Sequence, residues 1–248
     1  SPLPRPRMHP LKPGGQRESE LIRYLDHGIK RVQKRVDNRV TNQQTKPTTG
    51  EDQGYGAFWE VAKDVDSLVD VVWVSGSPNL QIPYLLNLAV LTAEFLPLFN
   101  SSNSPRAIFR LLSKLDYAFA SLLLGRDLAT GELLSGFEHD RSMSTTDKVR
   151  LKGIVDRTRL VVVRVMAIAS VDGDDDIPEP MDTDTETEQE AGASRQGGTV
   201  SFEGFENNDS DEEDDEWEER NIASVYEKTI GELGDVLGGP PIGIITDD

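Results

Sequence analysis

The charge of this chain is concentrated at its two ends, and this distribution confines a large buried core to the middle. Residues 1–50 carry 11 Lys and Arg against 4 Asp and Glu, residues 51–171 carry 12 against 14, and residues 172–248 carry 3 against 26. A segment with so many like charges repels itself and offers too little apolar surface to offset the entropy lost on ordering. We therefore expect a near-neutral folded middle between a basic N-terminal segment and a polyanionic C-terminal one.

Composition sets the size and the setting of the folded part. A hydrophobic content of 36% in 248 residues is enough for one core of ordinary size and hardly for two. The absence of cysteine excludes disulfides, thiolate metal ligands and thiol nucleophiles, and it favours a reducing intracellular compartment. The longest apolar run, residues 84–99, is interrupted by Asn87, Glu94 and Pro97 and is too short to span a bilayer, which predicts a soluble protein.

The N-terminal segment divides into an arm, a helix and a linker. Five prolines and two glycines in the first 16 residues predict a disordered arm over residues 1–17 that buries almost nothing. Apolar residues then recur every three or four positions and predict an amphipathic helix over 18–43, with its seam at Ile22, Leu25, Ile29, Val32 and Val36. Its outer face is basic and carries Lys30, Arg31, Lys34, Arg35 and Arg39. Residues 44–56 are rich in Pro, Gly and Thr and predict a linker.

A helical core domain is predicted over residues 57–171, because apolar stripes with helical spacing alternate with turn residues. Helices are expected from Ala57 to Val74, from Pro83 onward, from Pro105 to a cap at Gly125, and from Ser144 onward. The connection 126–143 predicts a long loop. The run LVVVRV is rich in β-branched residues and would suit a strand, but its spacing and the lack of a second strand favour a helix. The predicted fold class is all-α, an antiparallel helical bundle with a disordered arm and an acidic tail.

The acidic tail, predicted to be disordered over residues 172–221, contains three aromatic residues in or beside its carboxylates, at Phe202, Phe205 and Trp217. Exposed aromatics flanked by acids can anchor in a pocket rimmed by Lys and Arg, with long-range attraction supplied by Asp211, Glu212, Glu213, Asp214 and Asp215. A tail that only solubilises, with incidental aromatics, is the alternative. Ser210 is followed directly by Asp211, Glu212 and Glu213 and is a candidate site for a casein-kinase-type enzyme.

Helical spacing returns in the last segment, residues 222–248, at Ile222, Tyr226, Ile230, Leu233 and Leu237. This pattern predicts a short C-terminal helix followed by a tail, with GGPPIG ending the helix. Such a helix can dock on the bundle, although Gly231 and Gly234 weaken it.

The common catalytic patterns are absent from the sequence, so we predict no enzymatic activity, no catalytic residue, no metal site and no cofactor. The chain contains no glycine-rich phosphate loop, no GxSxG, no HExxH and no thiol. The stretch DGDDDIPE resembles the start of a calcium loop, but Ile177 stands where a glycine is needed and Thr183 where a glutamate is needed. For His139, which lies among charged residues, a solvated loop histidine is favoured over a catalytic one.

Two charged features have structural interpretations. Asp116 lies between Leu115 and Tyr117 in an apolar stripe, and we interpret it as half of an ion pair with Lys114 or with an arginine of the last helix. The basic helix could contact nucleic-acid phosphates, but no aromatics lie between its cations and the net charge of −18 opposes polyanions. A solvated face of a docked helix is favoured, and direct DNA binding is disfavoured. The same cations could also bind the acidic tail in cis.

Four stretches of the predicted core resemble a known family. LQIPYLLNLA, SPRAIFRLLSKLDYAFASLLLGRD, GFE and TTDKVRLKGIVDRTR follow one another as in fungal proteins of the Tfb-six family, a dissociable extra subunit of the general transcription factor TFIIH. The resemblance implies a helical, non-enzymatic nuclear protein that promotes release of the XPB-type translocase from TFIIH. The positions that it carries over are Gln81, Pro83, Phe109, Lys114, Asp116 and Arg126.

The leading hypothesis is therefore a non-catalytic nuclear adaptor in transcription initiation or repair, whose partners are TFIIH core subunits or the XPB-type translocase. The resemblance and the tail agree, because TFIIH contains a pleckstrin-homology domain that receives acidic peptides bearing aromatics. The alternative is an acidic chaperone or nucleic-acid mimic that shields histones or other basic proteins. A chaperone tail should bind many basic proteins with steep salt dependence, whereas an adaptor should lose its partner when the folded helices are altered.

Overall fold

The computed structural model describes residues 2–42, 53–102, 104–138, 142–171 and 209–237. Within these ranges the chain forms seven α-helices, namely α1 Gln16–Asn42, α2 Phe58–Val74, α3 Pro78–Phe95, α4 Pro105–Leu124, α5 Thr145–Val171, α6 Asp209–Ala223 and α7 Glu227–Leu237. A 3-10 segment, Leu96–Ser102, follows α3. In the same ranges β pairing is limited to one isolated bridge between Arg126 and Leu133. The predicted all-α class is confirmed.

The helices share one core. Helix α2 packs against α1, α3 and α4, while α5 packs on α3 and α7 packs on α4. Leu25 and Val36 of α1 are 0% and 1% exposed, and Leu233 of α7 is 4% exposed. The core therefore extends beyond the predicted 57–171 domain on both sides, because the amphipathic helices before and after it also bury their apolar faces there.

Helix α1 docks along its predicted seam, but its outer face is less basic than predicted. Lys30, Arg31 and Lys34 are exposed as expected. Arg35 instead turns onto the bundle, where its guanidinium lies 3.1 Å from an oxygen of Asp64 and 3.8 Å from the centre of the Tyr55 ring. Two of the predicted surface cations are used in packing, because Arg39 likewise lies over the Phe99 ring, 4.4 Å from its centre.

The N-terminal arm forms no helix or strand between residues 2 and 15, as its prolines predict. The prediction that it buries almost nothing is corrected by Leu3 and Leu11, which are 7% and 9% exposed. The backbone N–H of Arg7 donates to the carbonyl of Val74 over 3.2 Å, at the C-terminal end of α2. The irregular segment thus lies on the bundle because it buries two leucine side chains and donates a hydrogen bond to a carbonyl group at the end of α2.

Helix α3 begins earlier than predicted. Pro78, and not Pro83, occupies its first turn, and Pro83 lies inside the helix on an exposed face. Helix α3 and the turn that follows it form a 22-residue segment, Pro78–Phe99, whose length and apolar composition would allow it to cross a membrane. This corrects the expectation that the apolar run is too short. Within the bundle, however, 61% of the most apolar window is buried, so core packing accounts for its apolarity.

The end of α4, the loop and the start of α5 follow the sequence prediction. Gly125 caps α4 in the left-handed conformation with φ 67°, where a Cβ would meet the Phe137 ring at 3.1 Å. The described part of the 126–143 connection is a loop that buries Leu134 and Phe137. The hydroxyl of Ser144 accepts the N–H of Asp147 over 3.1 Å at the start of α5. The LVVVRV run is helical, as favoured.

The predicted disordered tail is partly helical. Residues 172–208 lie outside the described residues, but residues 209–221 belong to α6. The acids of α6 are concentrated in its first half, where negative charge stabilises the positive end of the helix dipole. Its second half bears Trp217 and Ile222, which pack against the core. Composition therefore concealed a helix whose second half has apolar contacts with the core.

Replacing Leu115 or Phe119 by alanine is expected to destabilise the protein by about 2–5 kcal/mol, because both side chains are fully buried in α4. The exposed Lys63 supplies the control, and Lys63→Ala should change stability by less than about 0.5 kcal/mol. Urea denaturation followed by circular dichroism measures all three. Equal and small effects would contradict the inward stripe of α4.

Candidate interaction site

Helix α4 brings together three of the residues that the sequence singled out. Phe109 and Lys114 are each 6% exposed and Asp116 is 1% exposed. Phe109 and Asp116 contact the C-terminal helices, whereas Lys114 contacts α2. Lys114 and Asp116 are two positions apart and therefore point in different directions on α4. One of these charged residues joins α4 to α2, and the other joins it to the C-terminal helices.

Asp116 binds the N-terminus of α7. Its carboxylate accepts the backbone N–H of Thr229 over 2.8 Å and that of Lys228 over 3.3 Å. Its own carbonyl accepts the Thr229 hydroxyl over 3.1 Å. These two N–H groups lie in the first turn of α7 and have no acceptor within their own helix. Asp116 therefore caps α7 from another helix, 113 positions earlier in the chain.

The predicted ion pair of Asp116 is wrong in its partner. Lys114 Nζ lies 2.8 Å from an oxygen of Asp66 and 2.7 Å from an oxygen of Asp70, both on α2. The cation nearest Asp116 among the described residues is Lys228 of α7, whose Nζ lies 3.6 Å from the carboxylate. Sequence proximity favoured Lys114, but the helical turn directs Lys114 towards α2 and Asp116 towards α7.

Trp217 of α6 packs against the first half of α4. Its ring meets the Phe109 ring edge to face, with centroids 5.5 Å apart and planes at 80°. Arg106 lies over the Trp217 ring at 6.0 Å from its centre. Trp217 is half-buried, so within the described residues this predicted tail anchor is an internal contact of the bundle.

Tyr226 lies between α6 and α7 and is 1% exposed. Its backbone has a positive φ of 57°, which is uncommon for a residue other than glycine. Its ring lies 6.2 Å from the Phe119 ring, and its hydroxyl has no hydrogen-bond partner among the described residues. Burial, with a smaller contribution from the Asp116 charge, raises the pKa of Tyr226 well above the usual range.

The other family positions support the fold. Gln81 is 1% exposed and its side-chain N–H donates to the carbonyl of Trp73 over 2.9 Å, which satisfies the C-terminal end of α2. Pro83 is exposed on α3. Arg126 is exposed at the start of the loop, and its guanidinium donates to the carbonyl of Gly131 over 3.3 Å.

The remaining predicted tail residues are only partly described. Phe202 and Phe205 lie outside the described residues. The backbone of Ser210 and of the five acids 211–215 belongs to α6, whereas their side chains are outside the described part of the structure. Their predicted roles in phosphorylation and in steering a partner stay predictions.

Sequence reasoning missed the two residues that complete the Asp116 site, Lys228 and Thr229. Neither position carries a signal in the sequence, because a cap supplied from another helix leaves no local pattern. Arg106 and Arg110 gave a weaker sequence signal of a functional role, since cations in the first turns of α4 interact unfavourably with the helix dipole.

The described residues define an all-helical protein whose distinctive polar contacts join helices to one another. They include no group of three or more His, Cys, Asp or Glu side chains placed to bind a metal ion.

A family model described as subunit 11 of the general transcription factor TFIIH, TFB6, matches residues 54–234. The match covers more than half of the chain, so the chain belongs to this TFIIH subunit family, as its motifs predict. The matched region includes α2–α6 and most of α7, and therefore the whole Asp116 site. No curated protein and no solved structure matches the chain.

Asp116→Ala is expected to lower the free energy of unfolding by at least about 2 kcal/mol, because two helix N–H groups and Lys228 lose their acceptor. Hydrogen exchange should show the amides of α7 losing protection more than those of α2. Asp156→Ala is the matched control, because its pair with Lys152 is exposed on α5 and contributes about 0.5 kcal/mol or less. Equal protection of α7 in both variants would contradict the capping role.

Tyr226→Phe is expected to leave stability near pH 7 unchanged or slightly higher, because it removes an unpaired buried hydroxyl. The folded-state pKa of Tyr226 lies above the ordinary value of 10.0, so above that pH the unfolded chain loses the proton first and stability falls. The variant lacks this loss. Above pH 10 the slope of its unfolding free energy against pH should therefore be less steep than that of the unmodified chain, and the two slopes should differ by up to about 1.4 kcal/mol per pH unit.

The comparison is made by urea denaturation of both proteins between pH 8 and pH 12. Tyr55, whose pKa burial also raises, and Tyr84, whose pKa burial and the bond to Asp26 raise to about 12, occur in both proteins and cancel in the difference. Identical slopes above pH 10 would show that Tyr226 is accessible to water in the folded state.

Proposed function

We propose that this chain is a non-catalytic nuclear adaptor that promotes release of the XPB-type translocase from TFIIH. The observation that carries the proposal is the family match over residues 54–234. Membership of a TFIIH subunit family supports protein partners within TFIIH and a nuclear location. The net charge of −18 opposes direct binding to DNA and favours protein surfaces as its ligands.

Release requires no chemical step by the chain itself. A protein that binds the free translocase more tightly than the assembled one shifts the equilibrium towards dissociation by that difference in affinity. A rigid bundle suits this role, because its surfaces are formed before binding and little ordering entropy is lost. The contacts of Lys114 with α2 and of Asp116 with α7 keep these surfaces in fixed relative positions.

The tail supplies the second part of the proposal. Phe202 and Phe205 anchor in a basic pocket of the partner, while the acids 211–215 accelerate the encounter. Phosphorylation of Ser210 adds about −1.5 to −2 charges beside them. Trp217 is a separate case, because a partner could take up its ring only by displacing it from Phe109.

The alternative is an acidic chaperone that shields histones or other basic proteins. The observation that favours it is α6, which carries nine acids and one arginine in 15 residues. A chaperone of this type should bind many basic proteins, with an affinity that falls steeply as salt rises. It should also retain them when Phe202 and Phe205 are replaced.

Purified TFIIH, immobilised through a core subunit, is expected to lose its XPB-type translocase to the supernatant as the full chain is added. The Phe202→Ser, Phe205→Ser double variant should release less, because each buried aromatic contributes about 1–3 kcal/mol to binding. The loss is measured by quantitative mass spectrometry of the bound and released fractions.

The control is a variant in which the acids 211–215 become Asn or Gln while both phenylalanines remain. It should slow association and flatten the salt dependence without abolishing release at saturation. Retention of all translocase at every concentration of the unmodified chain would overturn the release function. Equal binding of histones by the unmodified chain and the double variant would support the chaperone instead.

A further inference from the structure

A groove between α2 and α4 is lined by apolar and cationic side chains, and packing of the bundle does not require this combination. It measures about 520 Å³, and its apolar lining comprises Trp59 and Ala107, which reach the surface, and the buried Ala62 and Leu111. Trp59 is 51% exposed there, although large aromatics contribute most to stability when buried. No described residue covers the ring more fully, so an apolar surface with an aromatic wall stands open to a ligand.

Cations line this groove. Lys63 of α2 and Arg106 and Arg110 of α4 all contribute to its wall. The groove also includes Asp66, whose carboxylate shares the Lys114 ammonium with Asp70 and is only partly compensated, so the three cations of the wall face one partly neutralised carboxylate. Arg106 and Arg110 lie in the first two turns of α4, where the helix dipole adds to their positive potential. The groove is therefore locally basic in a chain of strongly negative net charge.

The neighbouring contact shows what this end of α4 accepts. Across Arg106 from the groove lies Trp217, an aromatic residue in an acidic helix, packed on Phe109. The adjoining surface thus already binds an aromatic side chain between carboxylates. The groove continues that interface along the other side of Arg106 and offers the same pairing of an apolar floor with guanidinium groups.

We propose that this groove, lined by Trp59, Lys63, Arg106 and Arg110, binds an acidic peptide segment of a partner protein that carries an aromatic side chain. The aromatic ring packs on Trp59 and Ala107, and flanking carboxylates pair with the exposed Lys63 and Arg110. At physiological salt, charges more than about 8 Å away are screened, so the groove cations govern binding despite the acidic remainder of the chain. The surface is additional to the translocase release proposed above and does not depend on it.

A fluorescein-labelled synthetic peptide, with Asp and Glu on both sides of a single central Phe, serves as the probe in fluorescence anisotropy titrations of the full chain. Arg110→Glu is expected to weaken binding at least tenfold, and Trp59→Ala at least fivefold, because both residues are exposed and their removal leaves the core intact. Thermal melts by circular dichroism verify that each variant remains folded.

Matched controls come from the exposed face of α5. Arg164→Glu changes the charge as Arg110→Glu does, and Leu160→Ala removes a side chain that is 61% exposed. Both should keep the affinity of the unmodified chain within about twofold. A probe in which Phe is replaced by Ser should bind at least fivefold more weakly.

Three results would overturn the proposal. Equal binding by Arg110→Glu, Trp59→Ala and the controls would place the peptide elsewhere. Displacement of the probe by a single-stranded oligonucleotide at equal concentration would make the groove a nucleic-acid site. Probe binding that emerges only in the Phe202→Ser, Phe205→Ser chain would identify the chain's own tail as the occupant. None of these measurements contains TFIIH, so the proposal can fail while the release function stands.

Discussion

The buried carboxylate of Asp116 determines where the C-terminal part of this chain lies. A carboxyl group at 1% exposure is stable only when its oxygens have polar partners, and here two N–H groups at the start of α7 and the Lys228 ammonium supply them. The requirement is mutual, since the N–H groups of Lys228 and Thr229 have no acceptor within α7. A short helix weakened by two glycines thereby acquires one position and one register on α4. Tyr226 and Leu233 complete the contact and bring α7 into the core.

The elements that sequence reasoning predicted correctly are those whose stability depends on local pattern. The seam of α1, the cap at Gly125 and the Ser144–Asp147 pair follow from spacing and from backbone chemistry within a few residues. The start of α3 was misjudged because two prolines five positions apart each suit a first turn. Only packing against neighbouring helices places Pro83 on an exposed face, where an interrupted ladder is tolerated.

The candidate site was less predictable, because its parts are distant in the chain. Asp116 was identified as a structural charge, but its partner lies at Thr229, and no pattern links the two positions. Helix α6 was predicted to be disordered from its acidity, which is the correct expectation for a segment without tertiary contacts. The contact of Trp217 with Phe109 supplies what composition lacks. The basic groove was not predicted because Trp59 and Arg110 come from different helices, and the residues around each of them in the sequence form no recognisable motif.

Docking through a single aromatic has a consequence for how α6 can change over evolution. Among the described side chains of α6, Trp217 and Ile222 are the apolar ones that pack against the core. Asp and Glu can exchange along its acidic face with little effect on stability, provided that the total charge near its N-terminus is kept. Natural selection can then act on the composition of this face and leave its order free to drift. Related chains could thus preserve the same helix while their tails cease to resemble one another letter by letter.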